Sequence, residues 1–131
     1  MSPDNVERLR EIYAAINAGL DEPLLHFLHP QFVYKSREEL PAGGSYLTTD
    51  ILRRLAEREE MFRDVRFEAE EFISSDQGVV VAVRGTGVGR VSGAPVDERI
   101  FHVWKMEDAK ARELWSYSDR AKALAAVAGS Q

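Results

Sequence analysis

The sequence predicts an α+β fold, with three N-terminal helices packed on a strongly curved, mainly antiparallel sheet and a short helix at the C-terminus. Apolar side chains recur at helical spacing in the first half, and the period changes to two from about residue 65. Short turns join the segments of period two, which favours antiparallel neighbours. Because a sheet that bends around helices encloses a space, we expect a ligand site between the two layers.

Residues 4–18 are predicted to form the first helix, because their apolar side chains share one helical face: Leu9, Ile12, Tyr13 and Ile16. Either Asp4 or Ser2 can cap the start of this helix, and Gly19 ends it.

A second, short helix is predicted over 21–28, with Asp21 as its N-cap and a stop at His29-Pro30. A short strand follows at 32–35. Residues 36–47 contain Pro41 and two glycines, and this composition predicts a loop.

The third helix is predicted over 49–62, with Leu52, Leu55 and Phe62 along one side. We expect the charged residues of this helix to face solvent.

The period-two region predicts four strands, at 65–74, 78–89, 95–106 and 110–117. Asp119 is then expected to cap a final helix, which Gly129 closes.

Composition and charge exclude several classes of protein. The chain of 131 residues has the length of one domain, and its 44% hydrophobic and 30% charged residues are ordinary for a globular protein. The 17 basic and 22 acidic residues are scattered and give a net charge of −5, which argues against nucleic acid as the main partner. The absence of cysteine excludes disulfides, thiolate metal sites and cysteine nucleophiles. The longest apolar block, 78–83, is too short to span a bilayer, and without a signal-like start a cytoplasmic protein is expected.

One histidine stands in an apolar setting. Residues 98–106, ERIFHVWKM, alternate as a strand does, so His102 shares a face with Ile100 and Trp104. An imidazole on such a face has to be desolvated, and it therefore requires a polar partner.

Three stretches together carry a family resemblance: REIYAAINAGLDEPLLHFLHPQFVYKS, EEFISSDQGVVVAVRGTGVGRVSGAPVDERIFHVWKMEDAK and YSDRAKAL. They resemble the SnoaL-like polyketide-cyclase and ketosteroid-isomerase superfamily over nearly the whole chain. The resemblance implies a single SnoaL-like domain over 1–131, with a cone-shaped roll, usually paired as a homodimer. Because the superfamily includes isomerases, cyclases, dehydratases and proteins without known chemistry, the resemblance says less about function than about fold.

The resemblance also implies roles for three residues. Tyr13 matches the first-helix tyrosine that donates a hydrogen bond to a developing enolate in ketosteroid isomerases. His102 aligns with a second donor, a protonated aspartate. Ser36 stands where the isomerases have the aspartate base, and serine cannot shuttle a carbon-bound proton.

We therefore interpret Tyr13 and His102 as the catalytic polar pair of a pocket. Strand parity adds the substrate-binding residues: Tyr34, Ser36, Ile100 and Trp104. The alternative interpretation makes Tyr13 an ordinary core residue and His102 a buried histidine with its hydrogen bonds satisfied.

Two further groups of polar residues could carry chemistry. His26 and His29 have a spacing that could ligate a metal on a helix, but a solvated helix end accounts for them better, so no metal is expected. Glu71 is the acidic residue of the predicted strand 65–74 that alternation would place on the apolar face, where it could replace the missing base.

The opposite face of the sheet predicts an interface. Trp115 and Tyr117 share one face of the last strand, and the register of ketosteroid isomerases would turn them outward and Leu114 and Ser116 into the cavity. Together with Phe101 and Val103 they would form an exposed apolar patch, which predicts a homodimer through the sheets: Phe101, Val103, Trp115 and Tyr117.

The leading hypothesis is a protein that binds a small apolar organic molecule carrying a carbonyl or hydroxyl group, with no cofactor. If the protein is an enzyme, acid–base isomerisation, cyclisation or dehydration is expected, with His102 transferring the proton and Tyr13 polarising oxygen. The alternative is a non-catalytic ligand-binding or dimerisation module that has lost the base of the family.

Overall fold

A computed structural model describes residues 3–35 and 45–128 of the chain. The helices and strands follow in this order: α1 (Pro3–Asn17), α2 (Glu22–Phe27), β1 (Leu28–Lys35), β2 (Ser45–Leu47), α3 (Thr48–Met61), β3 (Phe62–Ser75), β4 (Gly78–Gly89), β5 (Pro95–Glu107), β6 (Lys110–Tyr117) and α4 (Arg120–Ala126). Three helices therefore precede the long strands and one follows them, as the sequence predicts.

The strands form one six-stranded sheet in the order β2-β1-β6-β5-β4-β3. Its pairs are antiparallel except for β1 and β6, which run parallel. The predicted α+β architecture with a mainly antiparallel sheet is confirmed.

The elements differ from the prediction mainly at the start of the sheet. Strand β1 begins at Leu28 rather than at residue 32, and a register shift against β6 between Leu28 and Val33 accommodates Pro30 within the strand. Part of the predicted loop, Ser45–Leu47, pairs with β1 as a short edge strand. The predicted end of the last helix at Gly129 and the capping role of Ser2 lie outside the described residues.

A bulge in β3 changes which side chains face the core. Ala69 pairs with Val83 and Glu71 pairs with Ala82, so three residues of β3 oppose two of β4. The alternation therefore reverses at the bulge, and Phe72 rather than Glu71 packs on the inner face.

The two faces of the sheet each carry an apolar cluster. The inner cluster joins the helices α1, α2 and α3 to the sheet and contains Tyr13, Phe32, Ile51, Val81, Ile100 and Trp104 among others. The outer cluster contains Val80, Ala82, Phe101 and Val103, with Ala123 and Val127 from the C-terminal end of the chain packed on them.

The outer cluster corrects one expectation. Phe101 and Val103 are 7% and 0% exposed within a single chain. They do not belong to an exposed patch, because α4 lies over β4, β5 and β6. Trp115 and Tyr117 do turn to this outer face, where they are half-buried and stack on each other.

None of the helices that the described residues form has the length and apolar run that crossing a bilayer requires.

Candidate functional site

A cavity of about 360 Å³ lies between the three N-terminal helices and the inner face of the sheet. This volume is within the range of about 300–1,000 Å³ that is usual for small-molecule sites. Most of its described walls are apolar or aromatic, and they come from α1, α2, α3, β1, β3, β5 and β6: Tyr13, Ile16, Leu24, Tyr34, Ile51, Leu55, Glu57, Arg58, Met61, Phe62, Phe67, Ile100, His102, Trp104, Leu114 and Ser116.

A chain of three polar side chains lies in one wall of this cavity. The indole Nε1–H of Trp104 donates to the hydroxyl oxygen of Tyr13 at 2.9 Å. The same hydroxyl lies 2.6 Å from Nδ1 of His102. The first helix and the third long strand are thus joined by side-chain hydrogen bonds.

The donor and acceptor chemistry of these three side chains indicates which of their atoms carry protons. An indole nitrogen only donates, so the hydroxyl oxygen of Tyr13 accepts from Trp104. We assign the single phenolic proton to the bond with Nδ1 of His102, because this nitrogen lies 2.6 Å from the hydroxyl and accepts when the ring proton is on Nε2. A neutral imidazole that accepts at Nδ1 carries its own proton at Nε2.

Burial keeps the Tyr13 phenol protonated. Desolvation of the phenolate raises the pKa of Tyr13 far above its usual value of 10.0, and the hydrogen bond from Trp104, which lowers the pKa, only partly offsets this effect. The Tyr13 hydroxyl therefore keeps its proton, and with it the ability to donate, over the whole physiological pH range.

The surrounding elements hold the three rings in place. Tyr13 lies on the buried face of α1 with its ring edge-on to those of Phe72 and Trp104. The imidazole of His102 is stacked on the phenol at 5.9 Å between ring centres. On β5, His102 pairs with Val81 of β4 and with Ser116 of β6, so regular strands fix its backbone on both sides.

Most of the site residues named from the sequence lie around this one cavity. Tyr13, His102, Tyr34, Ile100 and Trp104 all line it. Ser36 lies outside the described residues. Leu114 and Ser116 also line it, which shows that the last strand turns these two side chains inward.

Arg58 is a charged cavity residue that the sequence interpretation missed, as is Glu57 of the same helix. The charges of α3 were expected to face solvent, yet the side chain of Arg58 is only 28% exposed and lines the cavity. The signal was available, because Arg58 occupies the helical stripe of Ile51, Leu55 and Phe62 at spacings of four, three and four. A charge inside an apolar stripe indicates a buried or half-buried role.

The expected inward position of Glu71 is wrong. The bulge in β3 turns Glu71 outward, where its carboxylate accepts two hydrogen bonds from Arg120 at the start of α4. The guanidinium of Arg120 lowers the pKa of Glu71, so this carboxylate is a surface anion and not a base for the cavity.

His26 and His29 do not share a helix, since α2 ends at Phe27 and His29 belongs to β1. His29 instead lies near Glu107 and Asp108, and ligand atoms of the three lie within 4.8 Å of one another. However, Nδ1 of His29 accepts from the backbone N–H of Gln31 at 3.0 Å. The imidazole proton is then on Nε2, which lies 3.5 Å from Oε2 of Glu107 and faces it as a donor, so neither ring nitrogen offers a lone pair to a metal.

Comparison with known proteins identifies the class to which this fold and cavity belong. A family model described as a SnoaL-like domain matches residues 9–114, which is most of the chain. The chain belongs to the SnoaL-like family. Among curated proteins no sequence matches it significantly.

Solved structures agree with this assignment. An NTF2-like protein of unknown function from Burkholderia pseudomallei is 22% identical, with a TM-score of 0.76 over 98% of this chain and 100% of that one. IdmH from Streptomyces antibioticus, a candidate polyketide cyclase, is 18% identical, with a TM-score of 0.77 over 95% and 99%. A candidate SnoaL-like polyketide cyclase from Jannaschia sp. CCS1 is 19% identical, with a TM-score of 0.77 over 100% and 98%. At these identities the likeness shows the fold, which is the cone-shaped α+β roll of NTF2-like proteins.

Proposed function

We propose that this chain is a single SnoaL-like domain that binds a small, mostly apolar organic molecule in the 360 Å³ cavity, and that His102 donates its Nε2–H to a carbonyl or hydroxyl oxygen of that molecule. The observation that carries the proposal is the hydrogen bond between the Tyr13 hydroxyl and Nδ1 of His102. In this assignment Nδ1 accepts from Tyr13, and the proton of the imidazole is on Nε2.

Tyr13 is a positioning residue in this proposal. Its single proton is directed at His102 and its oxygen accepts from Trp104, so it has no second proton for a ligand oxygen. The role expected for Tyr13 from the family resemblance, polarising the ligand oxygen, passes to the imidazole that Tyr13 orients.

A donor of this kind contributes to each of the expected reactions. Cyclisation of the aldol type creates a negative oxygen that an N–H donor stabilises, and dehydration needs a proton on the departing hydroxyl. Both also remove a proton from carbon, as isomerisation does, so each needs a base besides His102 in this tautomer. Cyclisation or dehydration is the reaction class that we propose if the protein is catalytic, because two structural relatives are candidate polyketide cyclases.

Matched ligands test the hydrogen bond to His102. A panel of small aromatic ketones, such as 2-acetylnaphthalene, is compared by calorimetry with methylene analogues such as 2-ethylnaphthalene. The ketones should bind about 3- to 10-fold more tightly, the value of one net hydrogen bond. His102→Leu should abolish this preference and leave the affinity for the hydrocarbons within about twofold.

The matched control is His26→Leu, which removes an exposed imidazole on α2 and should change neither affinity. Failure of the whole panel to bind, or an unchanged ketone preference in His102→Leu, would contradict the proposal.

The second candidate function is a non-catalytic ligand carrier. It is favoured by the proton assignment, because His102 in the Nε2–H form is a donor and no longer a base, and by serine at position 36, where the ketosteroid isomerases have their aspartate. A carrier would return a bound β-hydroxy ketone, such as 4-hydroxy-4-(2-naphthyl)butan-2-one, unchanged after prolonged incubation, whereas an enzyme that dehydrates it would yield the enone, which mass spectrometry detects.

We also propose that the chain forms a homodimer through the outer face of the sheet beside α4. The support is the stacked pair of half-buried rings, Trp115 and Tyr117, whose centres are 6.2 Å apart. Sedimentation equilibrium should give a dimer for the wild type and a monomer for Tyr117→Lys, and an unchanged mass for the variant would contradict this interface.

A further inference from the structure

Arg58 places a positively charged group in the wall of the cavity. It lies in the last turn of α3, and among the described residues that line the cavity it is the one with a positive charge. Its guanidinium carbon lies 5.5 Å from the ring centres of both Phe62 and Phe67. Two aromatic rings and a half-buried position reduce the hydration of the cation, which favours a partner of opposite charge.

Glu98 supplies that partner, but through a single contact. Nη2 of Arg58 donates to Oε2 of Glu98 at 2.7 Å. Among the surface pairs, Arg84 with Asp97 and Arg120 with Glu71 use both prongs of the guanidinium, whereas Arg63 with Asp64 and Arg66 with Glu68 use one. A single contact leaves most of the five N–H donors of Arg58 outside this carboxylate bond.

A glycine leaves room for this pair. Gly85 of β4 lies opposite Glu98 in the sheet register. A Cβ atom on residue 85 would lie 3.6 Å from Cγ of Glu98 and 3.9 Å from Nη2 of Arg58. The same Cβ would lie 3.2 Å from Cδ1 of Ile100, so any larger side chain at this position would crowd Ile100 and the Arg58–Glu98 pair.

The strand geometry sets the distance between the two polar groups. Glu98, Ile100 and His102 alternate along β5 and so share the face that looks into the cavity. Glu98 and His102 are four positions apart along β5, which places their Cα atoms about 13 Å apart at the usual rise per residue. The wall between them, at Ile100, is apolar.

We infer that the cavity takes an elongated apolar molecule with an anionic group, a carboxylate or a similar oxyanion, at the end opposite its carbonyl or hydroxyl oxygen. The anionic group displaces Glu98 and pairs with Arg58, which makes Arg58 a specificity-determining residue. A guanidinium can donate two parallel hydrogen bonds to one carboxylate, so the single contact with Glu98 is replaced by a bidentate pair. This inference rests on the proposed function of the cavity and names the class of its ligand.

The test uses a carboxylate and its neutral counterpart, 3-(2-naphthyl)propanoate and 3-(2-naphthyl)propanamide, with affinities measured by calorimetry at low salt. The wild type should prefer the carboxylate by about tenfold, as expected for a charge-assisted pair. Arg58→Gln should abolish this preference with little change for the amide. Glu98→Gln should increase the affinity for the carboxylate several-fold, because it removes the competing anion.

Arg66→Gln is the matched control, since Arg66 lies on the exposed side of β3 and pairs with Glu68 at the surface. It should leave both affinities unchanged. Its result separates a local effect of Arg58 from a general loss of positive charge in an acidic protein.

The outcomes distinguish this inference from the proposed function. If the wild type binds the amide as well as the carboxylate, or if Arg58→Gln lowers thermal stability without changing the preference, Arg58 and Glu98 form a structural pair and the inference is wrong. If neither compound binds the wild type, the cavity itself is not a ligand site and both proposals fail.

Discussion

At the scale of single residues, the hydrogen-bonded chain of Trp104, Tyr13 and His102 decides both stability and chemistry. Trp104 is 1% exposed and Tyr13 is 4% exposed, so both side chains are almost completely buried. The Tyr13 hydroxyl satisfies two partners at once, one as acceptor and one as donor. Removing that one oxygen therefore leaves two polar groups to find new partners.

Tyr13→Phe should lower the free energy of unfolding by about 1–3 kcal/mol, because it strands the buried indole N–H of Trp104. Urea denaturation of the wild type and the variant measures the difference. Tyr117→Phe is the control, because its hydroxyl belongs to a half-buried ring on the outer face. A loss of stability no larger than that of the control would mean that the hydrogen bonds of Tyr13 contribute nothing to stability.

The raised pKa of Tyr13 predicts a specific alkaline instability. Above pH 10.0, the usual pKa of the phenol, the unfolded chain loses the Tyr13 proton while the folded chain keeps it. The unfolded state then binds fewer protons, so stability falls as the pH rises, by up to about 1.4 kcal/mol per pH unit from this group. Tyr13→Phe lacks this dependence.

The stability difference between the wild type and Tyr13→Phe should therefore shrink as the pH rises from 9 to 11, an interval chosen to bracket the usual pKa of 10.0. Urea unfolding at several pH values in this interval gives the measurement. A difference that stays constant would show that Tyr13 ionises normally in the folded protein.

At the scale of elements, the strand β4 and its turns hold the sheet around the cavity. Gly78 begins β4 with a φ angle of +153°, and a Cβ atom there would come within 2.5 Å of the backbone oxygen of Trp104. No side-chain rearrangement relieves a contact with backbone. The start of β4 thus approaches β5 so closely that only glycine fits.

Gly78→Ala should destabilise the protein by about 1–3 kcal/mol, through the combination of backbone strain and this contact. Gly93→Ala is the matched control: it has a φ angle of +71°, yet no atom lies within 4 Å of the position that its Cβ would take. Both variants carry the conformational cost, and thermal unfolding should show the larger loss for Gly78→Ala. Equal losses would mean that the close approach to Trp104 has no energetic weight.

At the scale of the whole molecule, regular periodicity was predictable and local irregularity was not. The long strands β4 and β6 have the predicted bounds, because short turns limit them. The bulge in β3 could not be read from the sequence, since one extra residue in the pairing leaves no compositional mark, and it reversed the expected position of Glu71.

The same contrast holds for the candidate site. Strand parity indicated that His102, Ile100 and Trp104 share a face, and the helical stripe placed Tyr13 on the buried side of α1. The partner of each polar atom depends on how α1 crosses the sheet, which sequence periodicity does not specify. The exposure of the outer face was misjudged for a similar reason, because the docking of α4 on Phe101 and Val103 is a tertiary contact.

The central claim is that Tyr13 donates to Nδ1 of His102, so that the imidazole holds its proton at Nε2. Long-range ¹H–¹⁵N spectra of the uniformly labelled protein at neutral pH report the tautomer directly, with His102→Leu identifying the signals among those of the three histidines. We expect a protonated Nε2 and an unprotonated Nδ1 for His102. A proton on Nδ1 would contradict the account, because the ring would then donate to Tyr13 and present an acceptor elsewhere.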